Sequence, residues 1–483
     1  MQASTDKTKL ADLKGRQKRK RRDAPDQEIQ NFLYAKRQKI YPREVHGLFA
    51  SLRIAAVIAL LGLYYGLPWV TWNGQQAVLF DLPARQFHLF GLTLWPQDFF
   101  YLTALLIIAA LSLFFFTALA GRLWCGYACP QTVWTETFMW LERLIEGDRS
   151  KQIKLDKAPW TREKVLKKSA KHGVWIAYAL FTGFTFVGYF SPIRELGGAI
   201  LHFDLGPWET FWVLFYSFAT YGNAGWMREQ VCIYMCPYAR FQSAMFDKDT
   251  LIISYDKERG EPRGSRKRGL QPSTLGLGDC IDCTLCVQVC PTGIDIRKGL
   301  QYECIGCAAC IDACNQVMEK MDYAKGLIRY TTEHGMAGQA TRVLRPRVII
   351  YGLILMALLG GLAFAVSQRT PLELDIIRDR NVLYREVEAG LVSNVYTLKI
   401  LNMDQQPHRY ELRVEGLKGL TLETENKELN AQPGDVLTAV VNLKVDPVVL
   451  RMPSTEIFFT LQATDTPDLQ VTESARFIGP VVR

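Results

Sequence analysis

Cys280-Ile-Asp-Cys283-Thr-Leu-Cys286-Val-Gln-Val-Cys290-Pro291, followed by Cys304-Ile-Gly-Cys307-Ala-Ala-Cys310-Ile-Asp-Ala-Cys314-Asn315, is the stretch that decides how this chain folds. Each half reads C-x2-C-x2-C-x3-C. In the bacterial two-cluster form of this spacing, three close cysteines wrap one corner of an iron–sulfur cube and the distant fourth ligates the other cube. Cys280, Cys283, Cys286 and Cys314 are therefore expected to hold one 4Fe-4S cluster, and Cys304, Cys307, Cys310 and Cys290 the second. Neither site closes without both halves, so the two cubes should sit close enough to exchange an electron. A zinc site needs only four thiolates and does not explain two quartets of identical spacing. A disulfide framework needs an oxidising compartment, and the loop charges below place this stretch on the reducing side. Such clusters carry one electron at a time, which confines the function to electron transfer, redox sensing or a structural cube.

Around this stretch lie long apolar runs separated by basic loops, within 483 residues that are 49% hydrophobic. Five runs are long enough to cross a hydrocarbon core: Leu48–Val70, Phe99–Ala120, Gly173–Pro192, Trp208–Trp226 and Val348–Val366. Lys and Arg crowd the N-terminal segment, with Arg16, Lys18, Arg19, Lys20, Arg21 and Arg22, and the loop from Gly121 to Lys171. Only Arg85 lies between the first and second spans and only Arg194 between the third and fourth. The N-terminus and the cluster loop are expected in the cytoplasm and the C-terminus in the periplasm of a bacterial inner-membrane, multi-pass protein. The basic run beside a span reads as topogenic, not as a nucleic-acid site, and no cleavable signal peptide is expected before residue 46. The net charge of +9 fits anionic lipid heads and says nothing of substrate.

In chain order, residues 1–45 read as a basic cytoplasmic tail whose last part, Phe32–Tyr41, lies on the membrane surface. Residues 46–246 hold four spans as a tandem repeat, because Cys125-Gly-Tyr-Ala-Cys129-Pro130 after the second span matches Cys232-Ile-Tyr-Met-Cys236-Pro237 after the fourth. An aromatic amphipathic stretch follows each, and internal repeats place functional sites between their halves. If each C-x3-C is helical, its cysteines share one face, and meeting repeats bring up to four soft thiolates together, suited to monovalent copper, zinc or another iron–sulfur cluster. The bland alternative is two pairs of small buried side chains. Residues 247–346 are expected to be a flexible cytoplasmic linker, Asp256–Leu277, leading to the ferredoxin-like domain, and 347–368 a fifth span. Residues 369–483 alternate with period two, as in Tyr396–Ile400, Tyr410–Val414, Val440–Val445 and Glu456–Leu461. That pattern predicts an all-β immunoglobulin-like sandwich without a catalytic constellation, suited to docking or support of folding. The fold class is thus a multi-domain integral membrane protein: five transmembrane α-helices, a two-cluster ferredoxin module and a C-terminal sandwich. His46 and His172 read as interfacial, with haem or quinone contact as the sharper alternative. His88 and His202, at matching places in the repeat, are weaker metal candidates.

Arg122-Leu-Trp-Cys125-Gly-Tyr-Ala-Cys129-Pro130, a second C-x3-C-P, the doubled ferredoxin run, a fifth span and an outer sandwich resemble, in that order, the CcoG family of cytochrome c oxidase accessory proteins, also called FixG or RdxA. The resemblance covers nearly the whole chain from about residue 30. It departs at Asn315, where a free ferredoxin usually has a second proline, which loosens that turn but leaves all eight ligands. It implies a cupric reductase of the cytoplasmic membrane that passes electrons through its clusters to Cu(II), supporting copper supply and assembly of cbb3-type oxidase. Cys125, Cys129, Cys232 and Cys236 are then candidate copper or redox thiols, with copper as substrate or bound ion. Implied partners are the lipid bilayer, an electron donor, a copper transporter or chaperone and oxidase assembly factors, with a homodimer left open. Two other readings share the motifs: a quinol-linked membrane relay to a partner protein, and a redox-sensing assembly scaffold.

Overall fold

The computed structural model describes residues 39–480, apart from residues 381, 388–389, 405 and 425–428. The basic run at residues 16–22 and most of the expected surface segment, residues 32–38, lie outside the described residues. The chain divides into two compact units, one formed by the chain up to Leu79 with Ser112–Tyr351, the other by Phe80–Leu111 with Gly352–Arg483. The helices that frame the site and the apolar spans are α1 (Leu48–Gly66), α2 (Phe99–Ala120), α3 (Pro130–Glu146), α4 (Arg162–Val187), α5 (Pro207–Thr220), α6 (Pro237–Ala244), α7 (Ala309–Met321) and α8 (Pro346–Ser367).

Among the described residues, α1, α2 and α8 are long and apolar enough to cross a membrane. Leu52, Ile58 and Leu63 on α1, Phe100, Leu106 and Phe116 on α2, and Leu353, Met356 and Phe364 on α8 are all exposed. Helices that are apolar all round and uncovered by protein are at home in lipid. The other two expected spans are helical but shifted. Helix α4 begins inside the basic loop at Arg162 and stops at Val187, while α5 stops at Thr220 and continues as a π-helical stretch, Tyr221–Met227. Thr182, Gly183, Thr185 and Ser217 dilute their apolar runs and serve packing instead. A Cβ at Gly183 would collide with Ser217 Oγ and the Val213 carbonyl, so α4 and α5 meet closely through small residues.

The cysteine-rich segment folds around strands β1 (Ile252–Tyr255) and β2 (Ile328–Thr331), paired antiparallel with Tyr255 opposite Ile328. Its core is Ile253, Tyr255, Met318, Leu327 and Ile328. This module does not hang from a free tether. Within the expected linker, Gly278 N donates to the Pro262 carbonyl at 2.8 Å, Asp279 N to Arg259 O at 2.8 Å and Arg266 Nε to Tyr323 Oη at 2.9 Å. The module is also docked on α1: Asp312 of α7 accepts from Ala50 N at 2.7 Å and Phe49 N at 3.4 Å, placing a carboxylate on the positive end of that helix. The described end of the N-terminal segment joins the same assembly. Arg43 N donates to Gln288 O at 2.8 Å, and Tyr41 Oη donates to Asp156 at 2.6 Å.

The second unit contains the sandwich, built from β3 (Leu372–Arg378), β4 (Val392–Asn402), β5 (His408–Glu415), β6 (Thr421–Thr424), β7 (Leu429–Ala431), β8 (Val436–Val445), β9 (Ser454–Ala463) and β10 (Gln470–Ile478). One sheet runs β6-β8-β4-β3, with Arg385–Glu386 pairing on β4; the other runs β7-β5-β9-β10. Every second residue faces the core, as in Tyr396, Leu398 and Ile400 of β4 and Ile457, Phe459 and Leu461 of β9, so the period-two reading of the sequence corresponds to the two buried faces. Also in this unit, Arg369 pairs with Asp98 at 2.7 Å, and Tyr101 Oη donates to the Ala365 carbonyl at 3.1 Å.

Candidate metal centre

Each half of the doubled run makes the same backbone turns. Asp282 and Gly306 occupy equivalent left-handed positions, at φ 52° and 69°, and so do Thr284 and Ala308, at φ 56° and 59°. These turns wrap the chain around two cavities. One is lined by Cys280, Cys283, Cys286 and Cys314 together with Tyr255 and Arg297; the other by Cys290, Cys304, Cys307 and Cys310 with Thr292 and Ile253. The distant cysteine of each half stands in the cavity of the other half, and Cys286 lines both, so the two cavities share a wall. Burial pushes the thiols of Cys286, Cys304 and Cys314 up to about 12, and Cys310 well above its usual range. Such thiols are inert by themselves, and only a bound cation drives off their protons. The backbone N–H groups of Gly306 and Ala309, near Cys304 and Cys307, work against that rise and favour a ligating thiolate. Eight thiols, two matched apolar cavities and inward N–H groups are a donor set that fits two 4Fe-4S clusters.

The two C-x3-C-P elements also share one geometry, though not a single helix face as expected. Cys125 sits on the short helix Leu123–Tyr127 and Cys232 on the π-helical Val231–Met235. Cys129 and Cys236 are extended, at φ −61° and −77°, because Pro130 and Pro237 each open the next helix at its first position. Just before each element the chain turns through a left-handed residue, Gly121 at φ 57° and Arg228 at φ 47°. The Arg228 strain is held by its Nε bond to Gly225 O at 2.9 Å and its Nη2 bond to Glu142 at 2.6 Å. The elements interlock. Gln131 Nε2 donates to Asn223 O and Arg228 O at 2.8 and 3.1 Å, and Gln242 Nε2 donates to Gly121 O at 3.1 Å while its Oε1 accepts from the Cys125 thiol at 3.5 Å. The first element lies directly on the cluster loop: a Cβ at Gly126 would stand 2.9 Å from both N and Cα of Cys307. Arg122 clamps the contact, donating to Cys304 O at 3.0 Å, to Ala239 O at 2.8 Å and to Tyr302 O.

Comparison with known proteins agrees with this geometry. Residues 227–333 match a 4Fe-4S dicluster domain, residues 102–147 a 4Fe-4S binding domain, and residues 362–480 the immunoglobulin-like fold found at the C-terminus of FixG. The chain is 37% identical over 453 residues to the nitrogen fixation protein FixG of Rhizobium meliloti, covering 86% of each. It is 42% identical over 404 residues to the protein RdxA of Cereibacter sphaeroides, covering 80% of this chain and 84% of that one. The chain belongs to the FixG/RdxA family. It is an iron–sulfur redox protein. A crystal structure of a FixG-related protein from Vibrio parahaemolyticus shares 35% identity, covering 22% of this chain and 95% of that one at a TM-score of 0.21.

In this FixG/RdxA protein the structure adds a buried ionic cluster that sequence patterning passed over. Glu142 pairs with Arg228 at 2.6 Å and with Lys171 and Lys39 at 3.4 Å; Glu146 pairs with Lys168 at 2.9 Å and Lys171 at 3.0 Å. Burial alone would raise the Glu142 carboxyl, but Arg228, Lys39 and Lys171 bring it down to about 2. On α1, Arg53 reaches the Cys307 carbonyl at 3.4 Å and Glu136 at 3.6 Å. The histidines are dispersed. His88 Nδ1 lies 3.0 Å from Thr93 Oγ1 within its hairpin, His202 ends the helix Ile193–His202, His46 offers its carbonyl to Gln316, and His172 Nδ1 bonds Tyr221 Oη at 2.9 Å. No three His, Cys, Asp or Glu side chains among the described residues stand close enough to hold a single metal ion.

Proposed function

We propose that the chain is a five-span membrane reductase that delivers single electrons to Cu(II), with its clusters at the cytoplasmic face and its sandwich in the periplasm. The observation that carries this reading is the continuous thiol-lined contact from the Cys280 quartet, through the wall shared at Cys286, to the Cys290 quartet and on to Gly126 beside Cys125. Two 4Fe-4S clusters, when bound, supply one-electron transfer, which matches the one-electron copper couple. The protein's own part is to hold that contact. Asp312 anchors α7 to the start of α1, Arg122 and Arg53 fix the carbonyls of Cys304 and Cys307, and Gly126 and Gly306 allow backbone to touch backbone. Each Cu(II) takes one electron and becomes Cu(I) at the end of the path, beside Cys125, Cys129, Cys232 and Cys236, the thiols that carry the last transfer. A reduced donor refills the chain one electron at a time. Copper supply to cbb3-type oxidase assembly is the use this activity serves, and a copper transporter or chaperone the partner it calls for.

One observation favours a second reading, a relay fed by quinol. A cavity lined by Lys168, Lys171, His172, Trp175, Trp226 and Arg228 offers aromatic walls and a His172–Tyr221 pair able to accept a proton. Purified full-length protein in detergent separates the two. With protein reduced by dithionite and then freed of it anaerobically, and a Cu(I)-specific chelator present, the copper reading expects chelated Cu(I) to form in step with the electrons held by the clusters. A protein that leaves Cu(II) untouched, yet whose clusters are reduced by a quinol analogue, is a relay.

A further inference from the structure

The doubled run accounts for eight of the 12 cysteines, and Cys125, Cys129, Cys232 and Cys236 remain. Residues 102–147 match a 4Fe-4S binding domain, yet that stretch contains only Cys125 and Cys129, half of what one cube needs. The other half is Cys232 and Cys236 in the second repeat, and the structure brings the halves together. Gln131 and Thr132, which follow Cys129, line one cavity with Cys232, Ile305 and Cys307. Thr132 Oγ1 donates to the Cys125 carbonyl at 2.6 Å, and Gln242 of the second repeat receives the Cys125 thiol. Cys129 lies within electrostatic reach of Cys236, and Cys232 within reach of Cys129. Cys125 packs in one apolar cluster with Cys307 and Cys310 of the neighbouring quartet.

We propose that Cys125, Cys129, Cys232 and Cys236 hold a third iron–sulfur cube, each repeat donating two thiolates. A single zinc ion would require at least three donors to close on one point, and no such trio exists among the described residues. The same is true of both ferredoxin quartets, whose sulfurs are set apart around a shared cavity instead of closing on one point. Burial pushes the Cys125 and Cys232 thiols up to about 12, so a bound cation must drive off their protons, and the nearby Arg122 guanidinium offsets only part of the resulting negative charge. The two prolines keep the second cysteine of each pair off the helix that carries the first, spreading the thiols as a cube requires. The site goes beyond the copper reading and does not depend on it.

The test is the iron and acid-labile sulfide content of the full-length protein purified anaerobically without copper. Three cubes require about 12 of each per chain, where two require about 8. Cys232→Ser with Cys236→Ser, and separately Cys125→Ser with Cys129→Ser, should each lower the count to about 8 and leave the spin-resonance signals of the other two cubes in place. A wild-type count of about 8, zinc or copper in stoichiometric amount on the untreated protein, or variants that keep about 12 would overturn the proposal. The wild-type count needs no substitution, so misfolding of a variant cannot hide the answer. Copper reduction measured on the same sample is a separate outcome. About 12 irons without copper reduction upholds the site and defeats the copper reading, and about 8 irons with copper reduction does the reverse.

Discussion

Gly126 shows what one missing side chain does. Its neighbours Cys125 and Cys129 are conspicuous in the sequence because ligands must recur at short, fixed spacing, whereas the need for glycine between them arises from Cys307, far along the chain. No local pattern carries that information. The same holds for Arg122, which reads as one more topogenic cation and turns out to be buried and bonded to three carbonyls of two other segments. Gly126→Val must push its Cβ into the Cys307 backbone, a close-packed contact whose overpacking costs about 1–3 kcal/mol. The expected outcome is a lower melting temperature and a clear fall in copper reduction while the Cys280 quartet keeps its iron. An unchanged rate would show that electrons do not leave the cluster loop at this contact.

At the scale of elements, α3 was legible only on one side. Val133, Phe138 and Leu141 announce an apolar face, but Glu142 and Glu146 carry no such signal and are among the most buried charges of the described residues. They tie α3 to Lys168 and Lys171 of α4 and to Arg228 after the π-helical stretch, which is itself invisible to a periodicity argument. The helix–helix contact therefore has an acid limit. The folded Glu142 carboxyl sits near 2, below its ordinary 4.5, so the stability it contributes is complete above about pH 4.5 and drains away as pH falls toward 2. The amount is on the order of 3 kcal/mol. Thermal unfolding of the protein in detergent should lose stability across that window. Glu142→Gln should flatten the dependence there and cost about 3–5 kcal/mol at neutral pH by leaving the buried Arg228 without its charge partner and Lys171 with Glu146 alone. A variant as stable as the wild type would mean that solvent reaches these cations.

For the whole molecule, the order of parts could be read almost directly, because spans and strands are encoded by local apolar periodicity: α2 begins and ends at the expected residues, and all four quoted strand segments fall inside β4, β5, β8 and β9. What could not be read was how tightly the cysteine-rich module is bound to α1 and to the first repeat, since a Gly, Pro and Lys-rich segment looks like a tether until Gly264, Gly278 and Asp279 are seen bonded in place. The orientation proposed from the loop charges has its own check. A reporter after Arg483 should be active only in the periplasm and one inserted near Lys267 only in the cytoplasm, and reversed labelling would place the cluster cysteines in an oxidising space. The central claim, that this thiol-lined path discharges single electrons into copper, is met most directly by mixing anaerobic full-length protein, reduced with dithionite and then freed of it, with one Cu(II) per reduced cluster and freezing samples for spin resonance. The account predicts that the Cu(II) signal and the reduced-cluster signals disappear together, one spin for one spin. Persistence of both signals side by side would contradict it.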